Sequence, residues 1–362
     1  MYLAFLLLIP LIIGLASLLF SKGRVTILEF LTLEASCILV VLSGYFMAQY
    51  SATLDTEIWS ARIVKKESNH VSCSHSYRCN CHTVGSGNNA HEECDTCYEH
   101  SYDVDWNIYT SSDETITIDR VDRQGVQEPS RWTSVYVGEP TAIAHDFTNY
   151  IKAAPNSILR RRGNEKSFSG LLPDYPDTVY DYYHCDRFVS VGFIPPDLVT
   201  WNVLLENINA DLGAKKQVNI VLVLTKLADS SYEYALEEKW VGGKKNDVII
   251  IVGVPEYPKI GWVRIFSWSN VEELKVELRD RILEIGTIDQ RDQIAQAIKS
   301  IVDQKFVRKP MADFKYLAAG MQPGTVGTII LFLIGVIVSI GLQFYFYNND
   351  PFRCGRRRDR SR

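Results

Sequence analysis

The chain has 362 residues, of which 46% are apolar, 22% charged and 11% aromatic. The formal net charge of −5 excludes a chain that is disordered throughout and a generally basic nucleic-acid-binding protein. The length predicts about two folded domains. The mean hydropathy of −0.05 is that of a soluble protein, but it averages regions of very different character.

Three long apolar segments predict transmembrane helices at residues 1–20, 25–47 and 325–347. A helix of 23 residues is about 35 Å long, enough to cross a hydrocarbon core of about 30 Å. The first segment could instead be a signal peptide, but it has no basic start and no clear cleavage site.

Basic residues predict how the chain is oriented in the membrane. Lys22 and Arg24 lie between the first two segments, and the tail, residues 348–362, contains six arginines. By the positive-inside rule both stretches are cytoplasmic. We therefore expect an integral plasma (inner) membrane protein with residues 50–324 outside the cytoplasm and a cytoplasmic C-terminal tail.

Glu34 lies near the middle of the second apolar segment, where an ionised carboxylate is costly. We therefore expect Glu34 to be protonated or bonded to a neighbouring helix, and to act in helix–helix adhesion within the chain or in an oligomer. A transport role for Glu34 is the alternative. Gly335 and Ser339 in the third segment have the four-residue spacing typical of close helix packing.

The predicted outer region is acidic and has two parts. Residues 50–324 carry 30 basic and 39 acidic side chains, a net charge of −9, which argues against nucleic acid as a partner. Residues 50–154 read as a stalk and a Cys-rich β domain, with short alternating runs at 114–121 and 132–137 that predict strands. The charged, Pro-containing residues 155–178 predict a linker.

The strongest chemical signal is a cysteine cluster. Five cysteines fall at residues 73, 79, 81, 94 and 97, with histidines interleaved. Two close pairs separated by a loop are typical of structural zinc. The predicted ligands are Cys79, Cys81, Cys94 and Cys97, with Cys73, His82 and His100 as alternates, and the expected cofactor is one structural zinc.

Disulfides are the competing interpretation of the same cluster. The predicted compartment is oxidising, and Cys185 brings the number of outer cysteines to six, an even count. Six cysteines allow 15 pairings, among which the sequence does not choose.

Residues 179–320 alternate between strand and helix patterns. Strands are predicted at 188–194, 219–225, 247–254 and 261–268, the last antiparallel to its neighbour. Helices are predicted after Asp197, at 230–240, at 270–285 and at 289–306, with Gly213 placed to end the first. Such alternation predicts a layered α/β/α domain.

Three motifs follow one another in residues 179–320: the strand VNIVLVLT after Gly213, a helix ending in Trp240, Val241 and Gly242, and the strand KKNDVIIIV. In this order they resemble the TPM domain family. The resemblance implies a membrane-tethered extracytoplasmic α/β sandwich with an accessory role in membrane complexes, and phosphatase activity in some members. The chain departs from the family at 266–273, which reads FSWSNVEE without the Gly-containing turn. The whole layout also resembles uncharacterised membrane proteins of tailed bacteriophages, through residues 94–106 and 148–155.

The sequence therefore predicts an α+β membrane protein with three transmembrane helices, a small Cys-rich β module and a TPM-like domain. The expected function is that of a non-enzymatic interaction or accessory protein in an envelope or membrane complex. Its expected partners are the bilayer and other membrane or envelope proteins, or a second copy of itself. The alternative is a metal-dependent, phosphatase-like hydrolase that uses acids such as Asp181 and Asp186.

Overall fold

The computed structural model describes residues 2–20, 25–87, 90–157, 159–160, 163–180, 184–349 and 351–352. The basic residues Lys22 and Arg24, the acid Asp181 and the arginines of the tail lie outside these residues. The described chain is a mixed α+β protein that divides into two compact units. Unit one comprises residues 1–55, 147–160 and 311–362, and unit two comprises residues 56–146 and 161–310.

The helices of unit one include three that are long and apolar enough to cross a membrane. They are α1 (Tyr2–Phe20), α2 (Ile27–Thr53) and α9 (Thr325–Asn349). A short helix, α4 (Tyr150–Ala153), and a 3-10 segment (Met311–Gly320) complete the unit. The three long helices pack against one another pairwise.

Small side chains allow this close packing. A Cβ on Gly14 of α1 would lie 2.5 Å from Glu34 Oε1, and one on Gly44 of α2 would lie 2.4 Å from Leu331 of α9. Ser339 is fully buried, and its hydroxyl lies 3.5 Å from Cys37 Sγ. The predicted small-residue pair is therefore part of the α2–α9 interface, with Gly335 buried one turn before Ser339.

The strands of the described residues form two four-stranded sheets and a separate two-stranded hairpin, and they lie in unit two except for the start of the first strand and the end of the sixth. The ten strands are β1 (Leu54–Val71), β2 (Ser76–Val84), β3 (His91–Tyr98), β4 (Asp103–Thr110), β5 (Thr115–Ile118), β6 (Pro140–Thr148), β7 (Phe188–Val191), β8 (Asn219–Thr225), β9 (Asp247–Gly253) and β10 (Trp262–Phe266). The helices are α3 (Ser130–Ser134), α5 (Leu198–Lys216), α6 (Tyr232–Lys239), α7 (Glu272–Ile285) and α8 (Arg291–Lys305), with a 3-10 turn at Glu165–Phe168.

The first sheet has the order β5-β4-β1-β6, and β4 pairs antiparallel with both β1 and β5. The run at 132–137 was predicted as a strand, and this is wrong. Residues 130–134 form a helical turn after Pro129. The reason is that Trp132 packs edge-on against Trp106, with the ring centroids 4.6 Å apart, instead of pairing with a neighbouring strand.

The second sheet has the order β10-β9-β8-β7, with β7, β8 and β9 parallel and β10 antiparallel. Alternate residues of its fully buried strands enter two cores. One core contains side chains of α5, α7 and α8, and the other contains side chains of α6. The strands and helices predicted here are confirmed within a few residues. From the segment interpreted as a linker, Phe168, Leu172 and Tyr175 pack into the α6 core.

Candidate metal centre and disulfide-linked hairpin

The hairpin of β2 and β3 is inserted between two neighbouring strands of the first sheet. Strands β1 and β4 pair up to Val71 and Asp103, and the chain between them leaves the sheet to form the hairpin. Every described hairpin residue is exposed or half-buried. A two-stranded hairpin without a core is marginally stable in water, so other constraints must order it.

Two disulfides provide these constraints. Cys79 is bonded to Cys97, and Cys81 to Cys94. The four cysteines predicted to bind zinc therefore form disulfides, which was the competing interpretation. This corrects the predicted zinc set, because a disulfide sulfur has no thiolate to give to a metal. Glu92 lies close to Cys81 and Cys94 and could form a metal site with them. Their disulfide excludes that site for the same reason. The alternate ligand His82 is exposed, with Nδ1 3.2 Å from the Asn80 carbonyl oxygen.

A second group of metal-ligating residue types lies where the chain enters and leaves the hairpin. We call Cys73, His75, His100 and Asp103 the neck cluster; one potential ligand atom from each lies within 4.8 Å of all the others. Cys73 Sγ is 3.6 Å from His100 Nδ1 and 3.9 Å from His75 Nδ1. Asp103 Oδ1 is 3.3 Å from His100 Nδ1, and Oδ2 is 3.5 Å from His75 Nδ1.

The strand register brings these residues together. Asp103 is the first residue of β4 and pairs with Val71, so Cys73 follows just beyond the end of that ladder. On the other side, the Glu99 amide donates to the His75 carbonyl oxygen at 3.0 Å, which aligns the two connections beside His100. The two imidazole rings are nearly perpendicular, at 82°.

Asp103 is fully buried and its carboxylate is well supported. It accepts hydrogen bonds from the Ser74 amide at 3.1 Å and from Arg120 Nη1 at 2.8 Å. Burial favours the neutral acid, but the Ser74 amide and the Arg120 guanidinium outweigh it and hold the pKa of this carboxyl well below its ordinary value. Asp103 is thus a fixed anion.

Sequence reasoning found half of this cluster. Cys73 and His100 were alternate ligands, whereas His75 and Asp103 were not assigned to a site. The available signal was the pair of short spacings, Cys-x-His before the hairpin and His-x2-Asp after it.

The acids predicted for a phosphatase-like site, Asp181 and Asp186, are described only in part. Asp181 lies outside the described residues. Asp186 accepts a hydrogen bond from the Tyr180 hydroxyl at 3.3 Å, and His184 Nδ1 lies 2.5 Å from Glu206 Oε1. Burial raises the pKa of the neighbouring Cys185 thiol to about 11, so it is protonated at neutral pH.

Glu34, the predicted membrane carboxylate, lies on α2 where Gly14 of α1 approaches it. Its buried Oε1 has no hydrogen-bond partner among the residues that the structure describes. This close approach is a contact between α1 and α2, and a role of Glu34 in helix adhesion or in transport stays a prediction.

Comparison of the chain with protein-family models, with curated protein sequences and with solved structures gives no match.

Proposed function

We propose that this chain is a membrane-anchored, non-enzymatic binding protein that presents the disulfide-linked hairpin outside the cytoplasm to another membrane or envelope protein. Three features of the chain support this role: apolar helices that can anchor it, disulfides that indicate the side of the membrane, and an exposed hairpin that can bind a partner.

The anchor is the bundle of α1, α2 and α9. These helices carry many large apolar side chains that are exposed in the bundle, such as Leu19, Leu39 and Ile337 at 74%, 71% and 68% exposure. A water-soluble surface rarely presents such a continuous apolar area, whereas a bilayer would cover it. The basic residues that flank the helices support a cytoplasmic tail.

The side of the membrane is supported by the disulfides. Structural disulfides persist in oxidising compartments and are rare in the cytosol. Cys79–Cys97 and Cys81–Cys94 both belong to residues 50–324, for which the charge pattern also predicts a location outside the cytoplasm. The two arguments are independent of each other.

The binding element is the hairpin, and this observation carries the proposal. Its residues contribute little to any core, yet two cross-links fix its conformation. A rigid loop binds at a lower entropic cost than a mobile one. The hairpin also exposes Tyr77 and Tyr98, at 51% and 58%, and tyrosine is enriched at protein interfaces.

The TPM-like character of residues 179–320 belongs to the same proposal. It is supported by the order of β7, α5, β8, α6 and β9, with a tryptophan and two glycines after α6. An accessory role in a membrane complex is what this resemblance implies.

Site-specific photo-crosslinking in the membranes of cells that make the full chain tests the proposal. A photoreactive amino acid replaces Tyr98, and the matched control replaces Tyr136, which is 63% exposed but lies outside the hairpin. We expect a discrete covalent adduct from position 98 only, and its loss after reduction of the disulfides. No adduct at position 98, or equal adducts at both positions, would contradict the proposal.

A further inference from the structure

We propose that the neck cluster binds one Zn²⁺ ion through Cys73 Sγ, Nδ1 of His75, Nδ1 of His100 and a carboxylate oxygen of Asp103. The inference is independent of the proposed function, because it rests only on how these four side chains converge.

The spacing of the ligand atoms matches a tetrahedral zinc site. With Zn–S of about 2.3 Å and Zn–N or Zn–O of about 2.0–2.1 Å, tetrahedral angles separate sulfur from nitrogen by about 3.6 Å and nitrogen from oxygen by about 3.3 Å. The cluster has sulfur-to-nitrogen separations of 3.6 and 3.9 Å. Its nitrogen-to-oxygen separations are 3.3 and 3.5 Å. The histidines approach different carboxylate oxygens, so ligation by one oxygen requires only a small rotation of the Asp103 side chain.

The donor set selects zinc over the harder cations. One thiolate, two imidazoles and one carboxylate suit a borderline-soft metal, whereas Mg²⁺ and Ca²⁺ prefer sites made of oxygen atoms. The thiolate and the carboxylate together carry two negative charges, which balance the charge of the ion. This also gives Cys73 a chemical role distinct from that of the cross-linked hairpin cysteines.

The surroundings orient the ligands as the partners of a metal site do. Arg120 Nη1 and the Ser74 amide fix the carboxylate of Asp103, and such outer partners commonly contribute about 10- to 100-fold to metal affinity. Cys73 and Asp103 are buried, and each imidazole is about one quarter exposed. Four protein ligands make a closed, structural site, and the ion would join the two connections at the base of the hairpin.

The test uses the full chain in detergent, without a polyhistidine tag and without thiol reductants, so that both disulfides remain intact. Metal is removed with a chelator, and Zn²⁺ and the spectroscopic probe Co²⁺ are then added separately. The wild type is compared with Cys73→Ser and His100→Ala. The matched control is His82→Ala, which removes an exposed hairpin histidine outside the cluster.

We expect the wild type and His82→Ala to retain about one Zn²⁺ per chain and to show the sulfur-to-cobalt charge-transfer absorption of a tetrahedral site. Cys73→Ser should lose that absorption, and both cluster variants should bind zinc at least tenfold more weakly. Peptide mapping under non-reducing conditions checks that the variants keep both disulfides.

A second measurement needs no variant. In the wild type, alkylation of Cys73 should be much slower with zinc than after chelation, because a metal-bound thiolate is protected. The inference is overturned if the wild type retains no zinc, if cobalt binds without the sulfur absorption, or if Cys73→Ser binds zinc as tightly as the wild type. Zinc binding that is lost in His82→Ala alone would show an exposed hairpin site and would also overturn it.

Discussion

Asp247, the first residue of β9, is a fully buried carboxylate outside the neck cluster. It accepts hydrogen bonds from Asn219 Nδ2 at 2.7 Å, from the Lys244 amide at 2.6 Å and from the Tyr175 hydroxyl at 2.9 Å. Burial raises the pKa of this acid to about 6, and the hydrogen bonds offset only part of that rise. The group therefore titrates within an accessible pH range.

This pKa predicts a pH dependence of stability. The ordinary pKa of the acid is 3.8, so between about pH 4 and pH 6 the folded chain holds a proton that the unfolded chain has lost. The contribution of Asp247 to the free energy of unfolding is therefore full below pH 4 and is lost as the pH rises through 6. Two pKa units correspond to about 3 kcal/mol.

Asp247→Asn should remove this contribution. Relative to the wild type, the variant should gain up to about 3 kcal/mol of unfolding free energy as the pH rises from 4 to 7. Unfolding of the full chain in detergent, followed by circular dichroism across this range, measures the difference. Asp303→Asn, which removes an exposed carboxylate of α8, is the control for the loss of a charge. A constant difference between Asp247→Asn and the wild type would contradict the assignment.

At the scale of single residues, the sequence shows which side chains could bind a metal or form disulfides, but not which of them lie next to each other. The cysteine cluster was visible, but the two alternatives for Cys79, Cys81, Cys94 and Cys97 could not be separated. Their pairing depends on the register of β2 against β3. Asp103 was missed because its closeness to Cys73 follows from the β1–β4 ladder, which joins residues far apart in the chain.

At the scale of elements, helix α5 shows how tertiary packing overrides a local signal. Gly213 was predicted to end this helix, and that is wrong, because the helix continues to Lys216. A Cβ on Gly213 would lie 1.7 Å from the backbone oxygen of Ser60 on β1. The glycine is therefore needed where the helix backbone meets the strand.

Gly213→Ala should destabilise unit two. Alanine is favoured over glycine inside a helix by about 1 kcal/mol, but the clash is with backbone atoms that cannot rotate away. We expect a net loss of about 1–3 kcal/mol in the free energy of unfolding, measured by denaturation of the full chain in detergent. Ala214→Gly, at the next and exposed position, is the matched control and should lose only the helix propensity. An alanine variant as stable as the wild type would contradict the packing argument.

Continuous apolar runs made β8 and β9 predictable, because both faces of these strands are buried. The strand predicted from the alternating run at 132–137 does not form. Trp132 belongs to a helical turn and packs against Trp106, whereas residues 135–137 follow that turn and lie in no strand. Periodicity alone does not distinguish these two ways of burying a side chain.

At the scale of the whole molecule, the near-zero mean hydropathy combines two opposite regions. The three apolar helices belong to unit one, and the disulfide-linked hairpin belongs to unit two. The segments of unit one are far apart in the sequence, and they were predictable because each satisfies the length and apolarity of a span by itself. The proposed orientation in the bilayer rests on the basic residues near the spans.

The central claim is that the helices anchor the chain in a membrane and that residues 50–324 lie outside the cytoplasm. Labelling of intact cells with a membrane-impermeant maleimide tests it most directly. Lys166→Cys provides a thiol at an exposed position of unit two, and the native Cys354 provides one in the tail. We predict that position 166 reacts in intact cells and that Cys354 reacts only after permeabilisation. Labelling of Cys354 in intact cells while position 166 stays protected would contradict the account.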